Sequence, residues 1–307
     1  MTVAIVVLNY NGTEDTLECL RSLRHITYAG ARIYLVDNGS CPPLRASLPA
    51  EERHVRLLES PVNLGFTGGC NLAARTALDE GATHVLFLNN DTIVDPGFLE
   101  PLVRALEADR RIGIATPKIY FHGQDRVFWA HGARLDPWTG RSTHHGVYRR
   151  DAGQYDRVRE VDRVTGCAMI ARRDFIERVG MLDDRFFAYG EEIDWCLRGR
   201  KGGYRMAVVP ESVVWHKGHR TSGRLGRPFI AYLQTRNHLL LLRKNAESFV
   251  AGGSVAIGYF ALSLAWRTAG AVARGDARSA GAALLGVRDG LRGRFGRPPR
   301  DLERGRA

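Results

Sequence analysis

Polar side chains follow a short apolar run near the centre of the chain. Residues 85–88 are all apolar, and Asn89, Asn90 and Asp91 come directly after them. This pattern is typical of a buried parallel strand whose carboxyl end opens onto a ligand. The amide oxygen of Asn89 and the carboxylate of Asp91 could face one divalent cation that bridges two phosphates. The alternative is a polar turn without a ligand, since the sequence Asp-Pro-Gly at 95–97 also favours a turn.

A second group of carboxylates lies in the sequence GEEIDW, residues 190–195. Glu191, Glu192 and Asp194 place three acids within four residues. Such crowding is unfavourable unless a metal, a substrate or a proton-transfer role accounts for it. In a helix, Glu191 and Asp194 would share one face and Glu192 would point elsewhere. The alternative is a helix start whose acids complement the helix dipole.

A third apolar run ends in a histidine. Residues 213–215 are Val-Val-Trp, and His216 and Lys217 follow them. A neutral imidazole could complete a Mn²⁺ or Mg²⁺ shell begun by Asp91, and Lys217 could neutralise a leaving pyrophosphate. Otherwise His216 is a packing residue. The histidines at 131, 144 and 145 show no ligand spacing and are interpreted as packing or surface residues.

Alternating strands and helices must position these groups. The apolar periods predict strands at 3–8, 33–36, 56–58, 85–88, 112–116, 165–170 and 213–216, and helices at 13–23, 72–80, 98–108 and 229–243. Residues 120–162 show no clear period and are expected to form loops and short strands. The β-α-β order at the start predicts an α/β domain with a largely parallel sheet.

Two further segments could contact a nucleotide. Asp37 follows the second strand, where its carboxylate could accept a hydrogen bond from the N3 imide of uracil or thymine; a turn-capping role is the alternative. Small residues in the sequence NLGFTGGCN, residues 63–71, would let a nucleotide approach backbone N–H groups at a helix start. This segment has neither dinucleotide-binding nor P-loop spacing, which argues against nicotinamide and ATP chemistry.

Composition limits the class of protein. The 307 residues suffice for one large domain and an appendage. The five cysteines never occur in a CxxC spacing, which predicts a reducing compartment and no zinc site. The apolar N-terminus lacks a basic flank and a cleavage pattern, so we expect a first strand rather than a signal peptide and a protein that stays in the cytosol.

The basic charge is concentrated near the carboxyl end. Residues 1–219 hold 28 basic and 28 acidic side chains, whereas residues 220–307 hold 16 basic and 5 acidic ones. Residues 249–266 carry no charge but contain many alanines and glycines, so they are less hydrophobic than a clear membrane span. Arginines on both sides favour an interfacial helix on an anionic membrane surface; a helix that covers the catalytic domain and a true span are the alternatives. No nucleic acid is expected as a partner, because the chain has no recognisable RNA- or DNA-reading module.

These motifs, in this order, resemble the family 2 glycosyltransferases, which are inverting enzymes of the GT-A fold, and especially their bacterial rhamnosyltransferase-like branch. The similar segments are VVLNYNG, VDNGS, NLGFTGGCN, LFLNNDT, TGCAMIARRDFIERVGMLDDRFFAYGEEIDWCLR, WHKGHRTSG and YLQTRNHLLLLRK. The resemblance implies a Rossmann-like mixed sheet flanked by helices. We expect a GT-A domain over 1–220, with a donor half to about 118 and an acceptor half from about 119. A helical, partly apolar membrane-associating segment over 221–285 and a basic disordered tail over 286–307 would follow.

The resemblance also implies roles for residues at matching positions. Asn89 and Asp91 stand at the family's DxD metal motif and would hold Mn²⁺ or Mg²⁺ with His216. Glu192 stands at the position of the catalytic base, with Asp194 as the rival and Glu191 beside it. The implied donor-binding residues are Asn9, Tyr10, Asp37, Asn38, Asn63, Gly65, Gly69, Asn71, Asn90 and Lys217. The implied acceptor-binding residues are Gly166 and Trp195.

The implied reaction moves a rhamnose-like deoxyhexose or a hexose from a thymidine or uridine diphosphate donor to a saccharide acceptor. A lipid-linked acceptor is expected, because the lipid-seeking tail would keep the protein peripheral on the inner face of the cell membrane. Two departures from the family pattern motivate an alternative. Asn89 replaces the first acid of the metal motif, and Glu192 replaces an aspartate of many relatives. The alternative is therefore a catalytically inactive sugar-nucleotide-binding scaffold.

Overall fold

The computed structural model describes residues 1–52, 54–136, 138–218, 220–248 and 253–303, and only the backbone at 220–225 and 303. The first four residues of the predicted segment 249–266, and residues 304–307 of the predicted tail, lie outside the described residues.

The first half of the chain alternates strands and helices, as predicted. Its elements are β1 (Val3–Asn9), α1 (Thr13–Leu23), β2 (Ala31–Asn38), β3 (Arg56–Ser60), α2 (Gly65–Asp79), β4 (His84–Asn89), β5 (Thr92–Val94), α3 (Leu99–Ala108) and β6 (Ile112–Phe121). Helix α2 begins earlier than the predicted residue 72. The glycine-rich segment forms its first turns. There the backbone N–H of Thr67 donates a hydrogen bond to the carbonyl oxygen of Phe187, 120 residues later in the chain, at 3.1 Å.

The second half begins with short strands and ends in helices. Its elements are β7 (Phe128–Ala130), β8 (Ala133–Leu135), β9 (Ser142–His144), β10 (Arg159–Val161), β11 (Ala168–Arg172), α4 (Arg173–Val179), α5 (Glu191–Lys201), β12 (Arg205–His216), α6 (Arg220–Asn245), α7 (Ser254–Ala273), α8 (Ala277–Leu291) and α9 (Arg300–Glu303). Helix α6 is interrupted at Gly226, whose φ is +83°. Residues 120–162 form short strands and loops, as predicted.

Among the described residues, ten strands form one mixed sheet. The order is β10-β12-β6-β11-β4-β1-β2-β3, with β5 paired to β12 and β7 to β6. Strands β4, β1, β2 and β3 are parallel, so the polar residues that follow them meet at one edge. Strand β11 runs antiparallel between β4 and β6. Strand β5 pairs with the end of β12 and places Thr92 opposite His216. This register brings His216 beside Asp91.

Helices cover both faces of the sheet. Val3, Ile5 and Val7 of β1 face the layer that contains α1 and α3, and the alternate residues Ala4 and Val6 face the layer that contains α2 and α5. All five side chains are fully buried. Central strands that are apolar on both faces are expected where helices pack on both sides of a parallel sheet.

Helix α6 packs on α5, so the predicted boundary at residue 220 does not separate two packing units. Lys244 Nζ lies 2.8 Å from the buried Oδ1 of Asp194, and Asn245 Nδ2 donates to the same oxygen at 3.1 Å. Leu240 and Leu241 share a core cluster with Phe186. A buried carboxylate needs such partners, and α6 supplies them.

Helix α8 packs closely along α6, which corrects the predicted start of the disordered tail at 286. A Cβ atom added to Gly286 would lie 2.6 Å from the carbonyl oxygen of Tyr232, so only glycine allows this approach. Tyr232 Oη donates to Asp289 Oδ2 at 3.0 Å. Farther along, Arg236 Nη1 donates to the carbonyl oxygen of Gly296 at 2.7 Å. Residues 286–291 are therefore ordered by contacts with α6.

Candidate active site

A cavity of about 1230 Å³ opens between the polar edge of the sheet and the C-terminal helices. We call one side the polar wall; it contains Tyr10, Asn38, Asn63, Gly65, Asn89, Asn90, Asp91, Gly166, Glu191, Glu192 and His216. We call the other side the helical wall; it contains Gln234, Asn237, His238 and Leu241 of α6 and Tyr259, Leu262, Ser263, Trp266 and Arg267 of α7. All three predicted metal ligands thus line one cavity.

Asp91 and His216 face each other within the polar wall. Asp91 Oδ1 lies 3.0 Å from His216 Nε2, and the two side chains are only 6% and 3% exposed. The ring of Trp129 packs edge-on against the imidazole, with centroids 4.3 Å apart. Neighbouring ligands of an octahedral divalent ion, each about 2.1 Å from it, lie about 3 Å apart. The pair therefore fits a shared Mn²⁺ or Mg²⁺ ion.

The protein side chains alone would not complete the coordination shell of a cation at Asp91 and His216. Within the described part of the chain, no group of three or more His, Cys, Asp or Glu side chains could hold a metal ion. Asn89 lines the same cavity as Asp91 and offers an amide oxygen. Phosphate oxygens of a substrate, with water, would have to supply the other ligands.

Helix α5 begins with two glutamates in different environments. The Glu192 carboxylate forms an ion pair with Arg163 through Oε1, and its Oε2 accepts a hydrogen bond from the Gly190 N–H at 3.2 Å. Glu191 is 5% exposed, and its Oε2 has no hydrogen-bond partner among the described residues. Burial, reinforced by the charge of Glu192, raises the pKa of Glu191 to about 8. Burial beside a second carboxyl group therefore favours the protonated form of Glu191.

Arg163 lines the cavity, although no sequence motif marks it. Its side chain is 8% exposed. Besides Glu192, it contacts His144, with Nη2 2.6 Å from Nε2. Burial and then the charge of Arg163 lower the pKa of His144 to about 4, so the imidazole is neutral and can accept this hydrogen bond. His144 comes from the region without a clear period and Arg163 directly follows that region, and neither belongs to a recognisable motif.

Asp194 lies away from the cavity, which corrects its prediction as a rival base. It is fully buried, and its Oδ2 accepts a hydrogen bond from Arg198 Nε at 2.8 Å. Its other oxygen is paired with Lys244 and Asn245 of α6. The helix turns Asp194 towards the interior and Glu192 towards the cavity. Asp194 therefore stabilises the packing of α5 on α6.

The two predicted acceptor-binding residues have different positions. Gly166 lines the cavity, where an added Cβ atom would lie 3.6 Å from Glu191 Oε1. Trp195 is fully buried against Phe87 and Phe175, with ring centroids 5.7 and 5.2 Å away. The prediction for Trp195 is therefore not supported by its position, because the tryptophan belongs to the core beneath α5.

Five predicted donor-binding residues line the polar wall, and they are Tyr10, Asn38, Asn63, Gly65 and Asn90. Asn38 organises this end of the cavity. Its Nδ2 donates to Asn63 Oδ1 and to the carbonyl oxygen of Gly65, both at 3.0 Å. Asn90 Nδ2 donates to Thr16 Oγ1 at 2.9 Å. The ends of β2 and β4 are thereby fixed to the starts of neighbouring helices.

Asn9 and Asp37 hold loops instead of lining the cavity. Asn9 Oδ1 accepts a hydrogen bond from Thr16 Oγ1 at 2.9 Å. Asp37 accepts hydrogen bonds from the backbone N–H groups of Ser40, at 3.2 Å, and Leu44, at 2.7 Å. The turn-capping alternative for Asp37 therefore describes its observed contacts.

Gly69 and Asn71 have packing roles within α2. A Cβ atom added to Gly69 would lie 2.2 Å from Leu8 Cδ1, so the glycine allows the helix to approach β1. Asn71 Nδ2 donates to Asp184 Oδ1 at 2.6 Å. Neither residue lines the cavity, and their role as donor ligands stays a prediction.

Lys217 also lies outside the cavity. Its Nζ is 3.1 Å from Asp15 Oδ1 and forms a second ion pair with Glu18. Its backbone N–H donates to the carbonyl oxygen of Asp91 at 2.9 Å. The residue therefore holds β12 against α1 and β5, and its ammonium group is paired with two carboxylates.

Helix α7 gives the helical wall an exposed apolar surface. Of the described helices, only Ser254–Ala273 has the length and hydropathy of a membrane span, with a mean hydropathy of 1.3 and 17% of the window buried. Leu262 and Trp266 are 74% and 83% exposed and also line the cavity. The cavity mouth is therefore continuous with an apolar helix face.

The chain is similar to known glycosyltransferases. The family model described as Glycosyl transferase family 2 matches residues 4–179. The low-salt glycan biosynthesis hexosyltransferase Agl10 of Haloferax volcanii is 24% identical over 97% of this chain and 94% of its own length. The N-acetylglucosaminyl-diphospho-decaprenol L-rhamnosyltransferase of Mycobacterium tuberculosis is 25% identical over 88% of this chain and 90% of its own length.

A solved structure with a similar fold is that of mannosyltransferase PcManGT from Pyrobaculum calidifontis, in complex with GDP-Man and Mn²⁺. The TM-score is 0.54 at 17% identity, and the match covers 94% of this chain and 86% of that one. This similarity confirms the predicted α/β fold of the GT-A class.

Proposed function

The chain belongs to glycosyl transferase family 2, and on that premise we propose that it transfers a deoxyhexose such as rhamnose, or a hexose, from a nucleoside diphosphate donor to a saccharide acceptor with inversion. The observation that carries the proposal is that one cavity contains both the Asp91–His216 pair and the ion-paired carboxylate of Glu192. The pair suits a diphosphate-bound cation, and the carboxylate suits removal of a proton from a hydroxyl group.

Asp91, His216 and Asn89 would hold Mn²⁺ or Mg²⁺, which supplies neutralisation of the leaving diphosphate charge. This assignment is supported by the 3.0 Å approach of Asp91 to His216. The similar mannosyltransferase was solved with Mn²⁺. Asn38 and Asn63 are proposed to bind the nucleotide. Both line the polar wall, and a hydrogen bond from Asn38 to Asn63 fixes their side chains.

Glu192 is the proposed base. Its carboxylate accepts the proton of an acceptor hydroxyl while that oxygen bonds to the anomeric carbon of the donor sugar. The bond from this carbon to the diphosphate oxygen breaks on the opposite face, so the configuration inverts and the nucleoside diphosphate leaves. Each oxygen of Glu192 keeps a second lone pair beside its contact with Arg163 or Gly190.

The proposed acceptor is a lipid-linked saccharide. The polar wall would bind its sugar, and its lipid would lie along the exposed face of α7, where Leu262 and Trp266 reach the cavity mouth. The relative from Mycobacterium tuberculosis carries a diphospho-decaprenol acceptor in its name. The 16 basic residues of 220–307 favour an anionic membrane surface, so we place the protein at the inner face of the cell membrane.

The test uses the purified full chain, Mn²⁺, and a panel of donors that begins with thymidine-diphosphate rhamnose and includes uridine and guanosine diphosphate hexoses. The acceptor is N-acetylglucosaminyl diphosphate carrying a farnesyl chain. We expect one donor to give a glycosylated product with inverted anomeric configuration by NMR. Donor binding without transfer or hydrolysis for any member of the panel would instead identify a sugar-nucleotide-binding scaffold.

A further inference from the structure

A buried carboxyl group of the cavity remains unused by the proposed reaction. Glu191 is 5% exposed and lines the cavity beside Glu192. Its Oε2 has no hydrogen-bond partner among the described residues. A buried polar atom without a partner is unfavourable, so its presence in a cavity wall points to a partner that a ligand supplies.

The charges around Glu191 favour its protonated form. Glu192 faces it from the same helix, Cys70 from α2, and Arg163 from the segment before β11. The guanidinium of Arg163 is engaged by Glu192 and His144, so it neutralises the neighbouring carboxylate. Burial and the charge of Glu192 together raise the pKa of Glu191 to about 8. The neutral form of Glu191 is thus favoured beside a neighbour that is paired with Arg163.

Gly166 leaves both carboxyl groups accessible to one ligand. An added Cβ atom would lie 3.6 Å from Glu191 Oε1 and 4.0 Å from Glu192 Cβ. These are ordinary contact distances, so alanine fits here without displacing its neighbours. A larger side chain at this position would cover the two glutamates from the cavity side.

We propose that Glu191 is an acceptor-binding residue whose protonated carboxyl donates a hydrogen bond to an oxygen next to the hydroxyl that Glu192 deprotonates. This inference rests on the proposed function and specifies its acceptor. The acceptor sugar must present two neighbouring oxygens: a hydroxyl that reacts, and a hydroxyl or amide carbonyl oxygen that accepts from Glu191. Arg163 is a positioning residue that keeps the negative charge on Glu192. The Glu191 proton is not transferred.

The test compares Glu191→Gln, which keeps a neutral donor, with Glu191→Leu, which removes it. With the farnesyl-linked acceptor, we expect Glu191→Gln to raise the acceptor KM by less than about 3-fold at pH 7, and Glu191→Leu to raise it by about 10-fold or more. The donor KM should stay within about 2-fold in both variants. The wild-type acceptor KM should rise above about pH 8, and Glu191→Gln should lack this rise.

Gly166→Ala provides a second variant that leaves Glu191 in place. Its extra methyl group should raise the acceptor KM by a few-fold, roughly, without changing the donor KM. A loss of turnover in Glu191→Gln as large as that in Glu192→Gln would overturn the proposal, since it would mean that Glu191 acts as an anion. A wild-type acceptor KM in Glu191→Leu would also overturn it.

Infrared difference spectra of wild-type protein and Glu191→Gln, recorded without substrates, separate this inference from the proposed function. We expect a protonated-carboxyl band at about pH 6.5 that disappears by about pH 9.5. Its absence at the lower pH would refute a neutral Glu191 even if transfer is observed. Its presence would support a neutral Glu191 even if every donor in the panel fails, and in that case only the proposed function would fall.

Discussion

The two walls of the cavity differ in how the fold builds them. The polar wall collects residues that follow neighbouring strands, and most of them are buried; Asp91 is 6% exposed. The helical wall depends on how α6 and α7 pack, and its outer residues are open to solvent; Trp266 is 83% exposed. Backbone register therefore places the polar residues of the cavity, whereas helix packing shapes its open side.

The largest expected effect comes from removing the charge of Glu192 in the polar wall. Glu192→Gln should lower turnover by about 100-fold or more while leaving donor affinity similar, because an amide cannot accept the acceptor proton. Steady-state kinetics and donor titration measure both quantities. Asp194→Asn is the comparison variant, and we expect it to lower the Tm because Asp194 is buried against Lys244. Near-normal turnover in Glu192→Gln would shift the base to another group.

The next effect concerns the polar wall alone. Asp91→Asn and His216→Ala should each lower Mn²⁺-dependent turnover by more than about 10-fold, because each removes a ligand of a site that already has an amide at Asn89. His131→Ala is the control, since His131 is fully buried and stacks on Tyr155 with centroids 4.5 Å apart. It should lower the Tm and leave the metal dependence intact. The same behaviour in His216→Ala would make His216 a packing residue.

A smaller effect is expected from Asn237 of α6, which supports the loop before Glu191. Asn237 Nδ2 donates to the carbonyl oxygens of Phe186, Ala188 and Tyr189 at 2.7–2.8 Å. This loop has φ values of +70° at Tyr189 and +96° at Gly190, directly before Glu191, so it needs such support. Asn237→Ala should lower the free energy of unfolding by about 1–3 kcal/mol.

The control for that variant lies on the same helix. Gln234 also lines the cavity but is exposed. Gln234→Ala should change the free energy of unfolding by less than about 0.5 kcal/mol in urea denaturation. Equal losses in the two variants would mean that α6 does not hold the acid loop through Asn237.

The smallest effect tests the outer face of the helical wall. The double variant Leu262→Glu, Trp266→Glu should bind anionic liposomes less tightly than the wild type in a sedimentation assay, by a factor of up to about 10. The reason is that apolar area is lost and negative charge is added. Binding of the wild type should also weaken as salt rises. Val158→Glu is the control, because Val158 is 52% exposed and lies beside α3 and the start of β12. A similar loss in the control would remove the specific role of α7.

The predictable part of this molecule is the part that local patterns specify. Apolar runs followed by Asn89–Asp91 and by His216 indicated strand ends, and parallel strand ends meet at one sheet edge. Periodicity alone does not indicate which face of α5 meets the core. The sequence therefore predicts site roles for Asp194 and Trp195, although both are buried beneath the site. Arg163 was missed because its pairing with Glu192 is a contact between segments without a shared motif.

The C-terminal helices show the same limit. Composition indicates a basic, partly apolar appendage, but two glycines of α8, Gly286 and Gly290, allow close packing. The Cβ positions at Gly286 and Gly290 meet α6 at 2.6 and 2.8 Å. A glycine-rich composition predicts disorder when the packing partner is unknown. The sequence therefore places residues 286–291 in a disordered tail.

The central claim is that residues far apart in sequence share one ion at the polar wall. The most direct measurement is a Mn²⁺ titration of nucleoside diphosphate binding to the wild type, Asp91→Asn, His216→Ala and the double variant. We predict that each single change weakens Mn²⁺-dependent binding and that the double variant is little worse than the worse single one, because both changes disable the same site. Fully additive losses in the double variant would contradict the shared ion.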